Sequence, residues 1–542
     1  MTLNIPTSAT VLVIGGGPAG SYTATVLAQE GIKTVLLELE HFPRYHVGES
    51  MLPSLRHFLQ YVGADDKFKN HGFKKKVGAA FQVNHKKRPG FTNFLEIGPE
   101  AYSWNVVRSE ADEILLRHAQ ESGVEVFEGI KVESIDFEDE KRPRVAHYVS
   151  KDTGEKGQIT FDYVVDASGR QGVLSTKYFH NRVYNKGLRN IATWGYWKGC
   201  GVYEEGTERA HVPYFEALQD ESGWAWFIPL HNDVTSVGLV MTQDSMNAKK
   251  RSYPNGAPTS EQFYVDQLNC MTPNILKLIK DGKMQSGEVR VASDFSYSAP
   301  TYAGPHYRLV GDAGAFIDPF FSSGVHLALT SGLSAAATIC ASIRGDCDEA
   351  TAATWHSDKF AASYTRFLVV VLAAYRQVRN QEVPVISDVD EDNFDKAFGF
   401  FKPVIQGVVD VNKGVSKDII AKTVEFCAEA FNTERVAAHV APIPTLDGDV
   451  NIELSKDISV EEQAMLQGIM LRRQMRPQDT MGIGAFTTDV IGGLHMEMQK
   501  GALGLRHKDV KVAAPEGLVK VMDGAAPTPA AEAPAQSVEV SA

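Results

Sequence analysis

The first forty residues switch between two hydrophobic periods. Thr10–Gly15 (TVLVIG) is an unbroken apolar run ending in glycine, the pattern of a strand buried on both faces. Pro18–Gly31 (PAGSYTATVLAQEG) repeats its apolar positions at helical spacing, with Pro at its start and Gly at its end. Thr34–Glu40 (TVLLELE) is strand-like again, so the chain opens as a βαβ unit. Ala111–Gly123 predicts an amphipathic helix and VEVFEG (Val124–Gly129) a strand. Mixed strands and turns then run to about residue 300, including a hairpin that feeds a buried strand over Val145–Gly169. YRLVGDAG (Tyr307–Gly314) returns to strand-then-glycine, and a helix of small residues follows at His326–Ile343. From about 349 to 506 the pattern is mostly helical. The Ala/Pro-rich end, 507–542, predicts a disordered tail. The expected class is α/β, and no internal repeat is visible.

Composition narrows what such a chain does. A net charge of −13 over 542 residues argues against a nucleic-acid partner. The five cysteines (Cys200, Cys270, Cys340, Cys347 and Cys427) are scattered with no CxxC pair, which predicts free thiols, a reducing compartment and no metal site. MTLNIPTSAT has no basic leader, and the apolar run FLVVVLAAY (Phe367–Tyr375) is too short to span a bilayer. The expectation is a cytoplasmic protein with no integral membrane segment.

The chemistry begins at GGGPAG. Gly15, Gly17 and Gly20 stand in G-x-G-x-x-G spacing between a predicted strand and a predicted helix. Such a turn lets the backbone approach a pyrophosphate at a helix N-terminus. Glu38, 23 positions after Gly15, ends the second strand, where a carboxylate accepts bonds from ribose hydroxyls. MGIGAF (Met481–Phe486) also contains GxG but follows no strand, so it reads as a loop, and no second dinucleotide domain is indicated.

Three further segments favour FAD over NAD. RYHVGES (Arg44–Ser50) follows the second strand and is placed to lie along a dinucleotide. DASGR (Asp166–Arg170) ends a buried strand, and GDAGAFIDP offers Asp312 at a strand end for a ribitol or ribose hydroxyl. Together they resemble the flavin monooxygenase superfamily of aromatic hydroxylases over residues 10–345. That resemblance implies a Rossmann-like FAD domain in two parts, 8–130 and 301–348. A mixed β-sheet substrate region at 131–300 is inserted between them, and a helical covering region spans 349–506.

GWAWFIP (Gly223–Pro229) separates hydroxylase from halogenase. Strand alternation puts Trp224 and Trp226 on one face, which by itself is the pattern of a core aromatic pair. With GES (Gly48–Ser50), W-x-W-x-I-P resembles the signature of FAD-dependent halogenases. There the two indoles are implied to partition flavin from substrate, so that the flavin C4a-hydroperoxide is attacked by chloride to give hypochlorous acid. The same resemblance implies a halide seat at the backbone N–H groups of Ser323 and Gly324, with Val325 beside the isoalloxazine edge. On its residues alone, DPFFSSGVH reads as a helix start with Ser322 or Ser323 as N-cap.

In tryptophan halogenases a relay lysine precedes a short apolar strand. Laid on HGFKKKVGAAF, that pattern selects Lys76, with Lys74 and Lys75 left facing solvent. If the strand alternates, Lys76, Gly78 and Ala80 share a face. An ammonium suits hydrogen bonding to hypochlorous acid; a deprotonated amine suits chloramine formation. Those enzymes also carry a glutamate three residues before the halide-loop glycine. Here that place is Phe321, which points from indoles towards phenols, whose hydroxyl already enriches the ring. PRYHVGESMLPS, SWNVVRSEADEIL, GDAGAFIDPFFSSG and GALGLRHK resemble fungal phenolic halogenases of polyketide pathways. Gly16, Ala19, Glu49 and Arg108 match that family's flavin-contacting positions. The expected reaction is chlorination or bromination of an electron-rich phenol by O2 and FADH2 from a separate flavin reductase. The proton-abstracting base is unassigned; Asp489 reads better as an N-cap than as that base. The rivals are a single-component aromatic hydroxylase using NADPH directly and a non-catalytic flavoprotein.

Overall fold

The computed structural model describes residues 4–185, 188–285, 289–293, 296–381 and 489–507. Most of the expected covering region, the MGIGAF loop and residues 508–542 lie outside these. The description below concerns the compact unit Met1–Arg506.

The opening strand, Ser8–Ile14, runs parallel to both Thr34–Leu37 and the end of Lys156–Asp166. Tyr307–Leu309 and Glu125–Phe127 extend the parallel set on either side. Val11, Leu12, Val13, Val35 and Leu36 are fully buried, as a parallel sheet covered on both faces requires. The hairpin read over Val145–Gly169 is present: Pro143–Ser150 pairs antiparallel with Lys156–Thr160. Ile130–Phe137 pairs with Pro143–Ser150, so the strands between 130 and 166 are bonded into this same sheet. The boundary expected at 130–131 therefore falls inside one sheet.

The helices Pro18–Gln29 and Gly324–Arg344 pack on this sheet. Gly332 lets them approach: a Cβ there would stand 2.7 Å from Thr23 Oγ1 and 3.1 Å from Ala19 O. Gly324–Arg344 is long and apolar enough to cross a membrane, but it is buried in the core. Phe367–Tyr375 lies within the helix Glu349–Arg379.

The second sheet holds Lys283–Met284, Asn190–Lys198, Val234–Thr242, Gly223–Pro229, Tyr214–Ala217, Gly78–Gln82 and Gly90–Asn93 in that order. Its pairings are antiparallel except Tyr214–Ala217 against Gly78–Gln82. The tryptophan strand is central and buried throughout. Trp226 faces Gly238, where a Cβ would stand 2.2 Å from the indole, so only glycine seats that ring.

One expectation is overturned. The lysine run does not continue into the Gly78–Gln82 strand. Lys74–Lys76 is a separate strand antiparallel to Ser103–Asn105, and the chain changes partners at Val77. Gly78 must lie flush on the Gly90–Asn93 strand, because a Cβ would meet Phe91 Cζ and Thr92 O at 2.5 Å. Lys76 therefore does not share a strand face with Gly78 and Ala80.

Candidate active site

The parallel strands end together, with Ile14 beside both Leu37 and Asp166. This carboxyl edge is where doubly wound sheets hold ligands. Gly15 turns there at φ 104°, and a Cβ at Gly20 would stand 1.9 Å from Gly15 O. The turn is thus closed to any larger residue at both positions. Gly17 caps the Pro18–Gln29 helix without a side-chain bond, leaving its first N–H groups for an anion. Glu38 accepts the Gly16 N–H on one carboxylate oxygen and the Glu40 N–H, at 2.8 Å, on the other. It braces the turn while still lining the cavity.

That cavity, of about 580 Å³, is lined by Gly15, Gly17, Ala19, Glu38, Arg44, Glu49, Arg108, Asp312, Gly324 and Val325. It extends to Trp224 and Trp226. Gly16, Gly20, Ser323 and Lys76 stand behind its wall. The volume falls in the range of small-molecule and cofactor pockets. The glycine turn, the free helix amides and the carboxylates at strand ends fit a dinucleotide.

Charge is placed deliberately around this cavity. Arg108 and Asp112 are both buried and bond side-on, Nε to Oδ1 at 2.9 Å and Nη2 to Oδ2 at 3.0 Å. Arg44 donates to the same carboxylate at 3.1 Å. Arg108 also donates to the carbonyl of Val47 at 2.8 Å, fixing the RYHVGES loop against the helix Arg108–Glu121. Asp112 was not singled out from sequence, although its i, i+4 spacing from Arg108 is a legible signal. Burial raises the Glu49 carboxyl above the usual carboxylate range, and Tyr196 donates to it at 2.8 Å. Burial likewise pushes Asp312 up to about 6.

Lys76 is 1% exposed, and its Nζ donates to Ser50 Oγ and Met51 O, both at 2.8 Å. Ser50 lines the cavity, so the amine lies one side chain behind it. Burial brings its pKa down to about 7. Lys75 is exposed, with its ammonium 3.9 Å from the Tyr102 ring centroid, and Lys74 is half-buried. Near the lysine strand, His71 and His231 each bond Glu110 Oε2, at 2.6 and 3.0 Å. This tie joins the segment before Lys74, the Arg108 helix and the end of the tryptophan strand.

The two tryptophans share a face, as alternation requires, with centroids 5.8 Å apart. Trp226 donates to Ser236 Oγ at 3.0 Å and Trp224 to Tyr375 Oη at 2.7 Å. Phe320 meets Trp224 edge-on at 5.0 Å, and Phe321, Phe81 and Phe215 complete an aromatic cluster. Phe321 is 3% exposed, so its place is a packed one. Ser323 begins the Gly324–Arg344 helix, but its Oγ makes no cap bond and is buried without a partner. Ser322 adopts φ 58° before it and lines the cavity. Asp489 caps no described helix; it is the ion-pair partner of buried Lys359 at 2.6 Å, which removes it as a free base.

A parallel sheet with a glycine turn at its carboxyl edge, opening into a cavity that reaches paired indoles, is the geometry of a dinucleotide-binding protein. Comparison with known proteins narrows the class. The sequence profile of the family described as tryptophan halogenase matches residues 10–100 and 95–398. The chain is 54% identical over 524 residues to the flavin-dependent halogenase ascD of Acremonium egyptiacum, covering 93% of this chain and 94% of that one. It is 46% identical over 529 residues to the sulochrin halogenase gedL of Aspergillus terreus, covering 94% and 95%. Among solved structures, the myxobacterial chondrochloren halogenase CndH superposes with a TM-score of 0.62 at 28% identity, over 78% of this chain and 98% of that one. The flavin-dependent halogenase CmlS gives 0.64 at 26%, over 93% and 84%. The chain belongs to the tryptophan halogenase family and is an FAD-dependent halogenase. A non-catalytic flavoprotein and a simple aromatic hydroxylase are thereby set aside.

Proposed function

We propose that the chain halogenates the ring of an electron-rich phenol, of the kind made by fungal aryl polyketide pathways, with chloride or bromide, O2 and FADH2 from a separate reductase. The observation that carries the phenolic reading is Phe321. Where tryptophan halogenases place a glutamate, this residue is buried among Phe81, Phe320 and their neighbours, with no carboxylate at that position. A ring activated by its own hydroxyl needs that charge least. A relative named for a defined small molecule, the sulochrin halogenase, supports a diffusible natural-product substrate.

In this reading Gly15, Gly16 and Gly20 shape the turn so that Gly17 and Ala19 at the helix start receive the pyrophosphate, and Glu38 and Asp312 receive sugar or ribitol hydroxyls. Arg44, Glu49 and Arg108 hold the loop over the cofactor, and Val325 stands at the ring edge. The bound, reduced flavin supplies the oxygen activation that turns halide into hypohalous acid. Ser323 and Gly324 N–H groups at the helix start hold halide, with the helix dipole favouring the anion. Trp224 and Trp226 keep the phenol from the flavin, and Lys76 receives the halogen oxidant behind Ser50.

The test is a reconstitution with FAD, a flavin reductase, NADH, chloride or bromide, and a resorcinol-type phenol, with free tryptophan in a parallel reaction. The expected product mass carries a halogen isotope pattern for the phenol and none for tryptophan. A lone added oxygen that persists without reductase, or preferred halogenation of the indole, overturns the reading.

A further inference from the structure

Tyr375 stands on the Glu349–Arg379 helix, 3% exposed, where its hydroxyl meets three partners. Trp224 Nε1 is 2.7 Å away, Asn190 Nδ2 2.8 Å and Asp318 Oδ2 2.7 Å. An indole N–H and an amide NH2 can only donate, and a phenol has one proton and two lone pairs. The Tyr375 proton therefore points to Asp318 by elimination, and every bond the hydroxyl can make is made. Asp318 also accepts from Asn190 Nδ2 at 2.9 Å and from the Phe320 N–H at 3.2 Å.

The four groups come from four separate places. Asp318 precedes the cavity-lining Pro319 and the halide loop, Trp224 is on the central strand, Asn190 on its neighbour but one, and Tyr375 on the long helix. Trp226, by contrast, is pinned within its own sheet by Ser236. Only Trp224 depends on the helix for its indole bond.

We propose that Tyr375, held by Asp318 and Asn190, is a positioning residue that fixes the Trp224 ring against the flavin cavity, and so sets the share of oxidant committed to halide. The inference rests on the partition reading of Trp224 and Trp226. In flavin-free protein labelled with 15N-tryptophan, Trp224→Phe assigns one of six indole N–H signals. Tyr375→Phe should move that signal and leave the other five. In the reconstituted enzyme, halogenated product per NADH should fall roughly three- to tenfold, the worth of one hydrogen bond, with hydroxylated phenol and peroxide together making up the difference. In a Trp224→Phe background the same substitution should cause no further fall. Should Tyr375→Phe not fold, Asp318→Asn, which takes an acceptor oxygen from the tyrosine, carries the same two readouts.

An unmoved Trp224 signal, wild-type product per NADH in flavin-loaded Tyr375→Phe, or equal falls in both backgrounds overturns the inference and spares the partition reading. Full coupling in Trp224→Phe itself removes the partition reading and the inference with it.

Discussion

Raising the pH through about 7 should strip the proton from Lys76. The amine is 1% exposed and burial alone lowers its affinity for a proton from the ordinary 10.5. That displacement corresponds to roughly 5 kcal/mol against the ammonium form. The neutral amine keeps both of its hydrogen bonds, to Ser50 Oγ and Met51 O, and gives up only the charged contact with the Phe94 ring at 5.0 Å. The folded state releases this proton near 7, whereas the unfolded chain keeps it to about 10.5. Between those values the unfolded state binds more protons, so the Lys76 contribution to stability rises with pH and is lost as pH falls through 7. The slope is about 1.4 kcal/mol per pH unit. Lys76→Met keeps the length and removes the proton. Denaturant melts should therefore show wild type gaining about 2 kcal/mol on Lys76→Met from pH 7.5 to 9. A 13Cε-lysine titration, with Lys76→Met assigning the signal, should show one midpoint near 7. A midpoint above 9, or a stability difference that ignores pH, refutes the reasoning. Under the relay role proposed for Lys76, halogenation assayed over the same pH range should rise through 7 if the free amine carries the halogen and fall if the ammonium does.

Gly20→Ala should lower FAD affinity by at least about tenfold, read by quenching of flavin fluorescence, because its Cβ would overlap Gly15 O at 1.9 Å and force the phosphate turn open. Arg108→Met should cost about 3–5 kcal/mol in melts of flavin-free protein, since it leaves Asp112 buried with Arg44 as its remaining cation. Gly238→Ala should cost about 1–3 kcal/mol by driving a methyl into the Trp226 ring, and tryptophan emission should shift with it. Lys75→Ala should cost no more than about 1 kcal/mol, the worth of its exposed contact with the Tyr102 ring, and keep full halogenation.

The site divides by the sequence distance over which it is built, and that division decides what can be read from the chain. The phosphate turn is local: Gly15, Gly17, Gly20 and Glu38 lie within one βαβ unit, so strand, glycine spacing and carboxylate predict one another. The tryptophan pair is legible for a similar reason, since strand alternation alone puts both rings on one face. Lys76 shows the limit. The expected lysine is the buried one, but the expected strand is wrong. It pairs with Ser103–Asn105 and its amine is held by Ser50 and Met51, contacts no short-range period reports. Tyr375 lies further out of reach. Its bonds span 57 residues to Asp318, 151 to Trp224 and 185 to Asn190. In sequence it is one more aromatic position on a helix, between Ala374 and Arg376. Motifs thus disclose the groups that shape the turn and line the cavity, whereas the groups that hold them in place are supplied by tertiary contacts between remote elements.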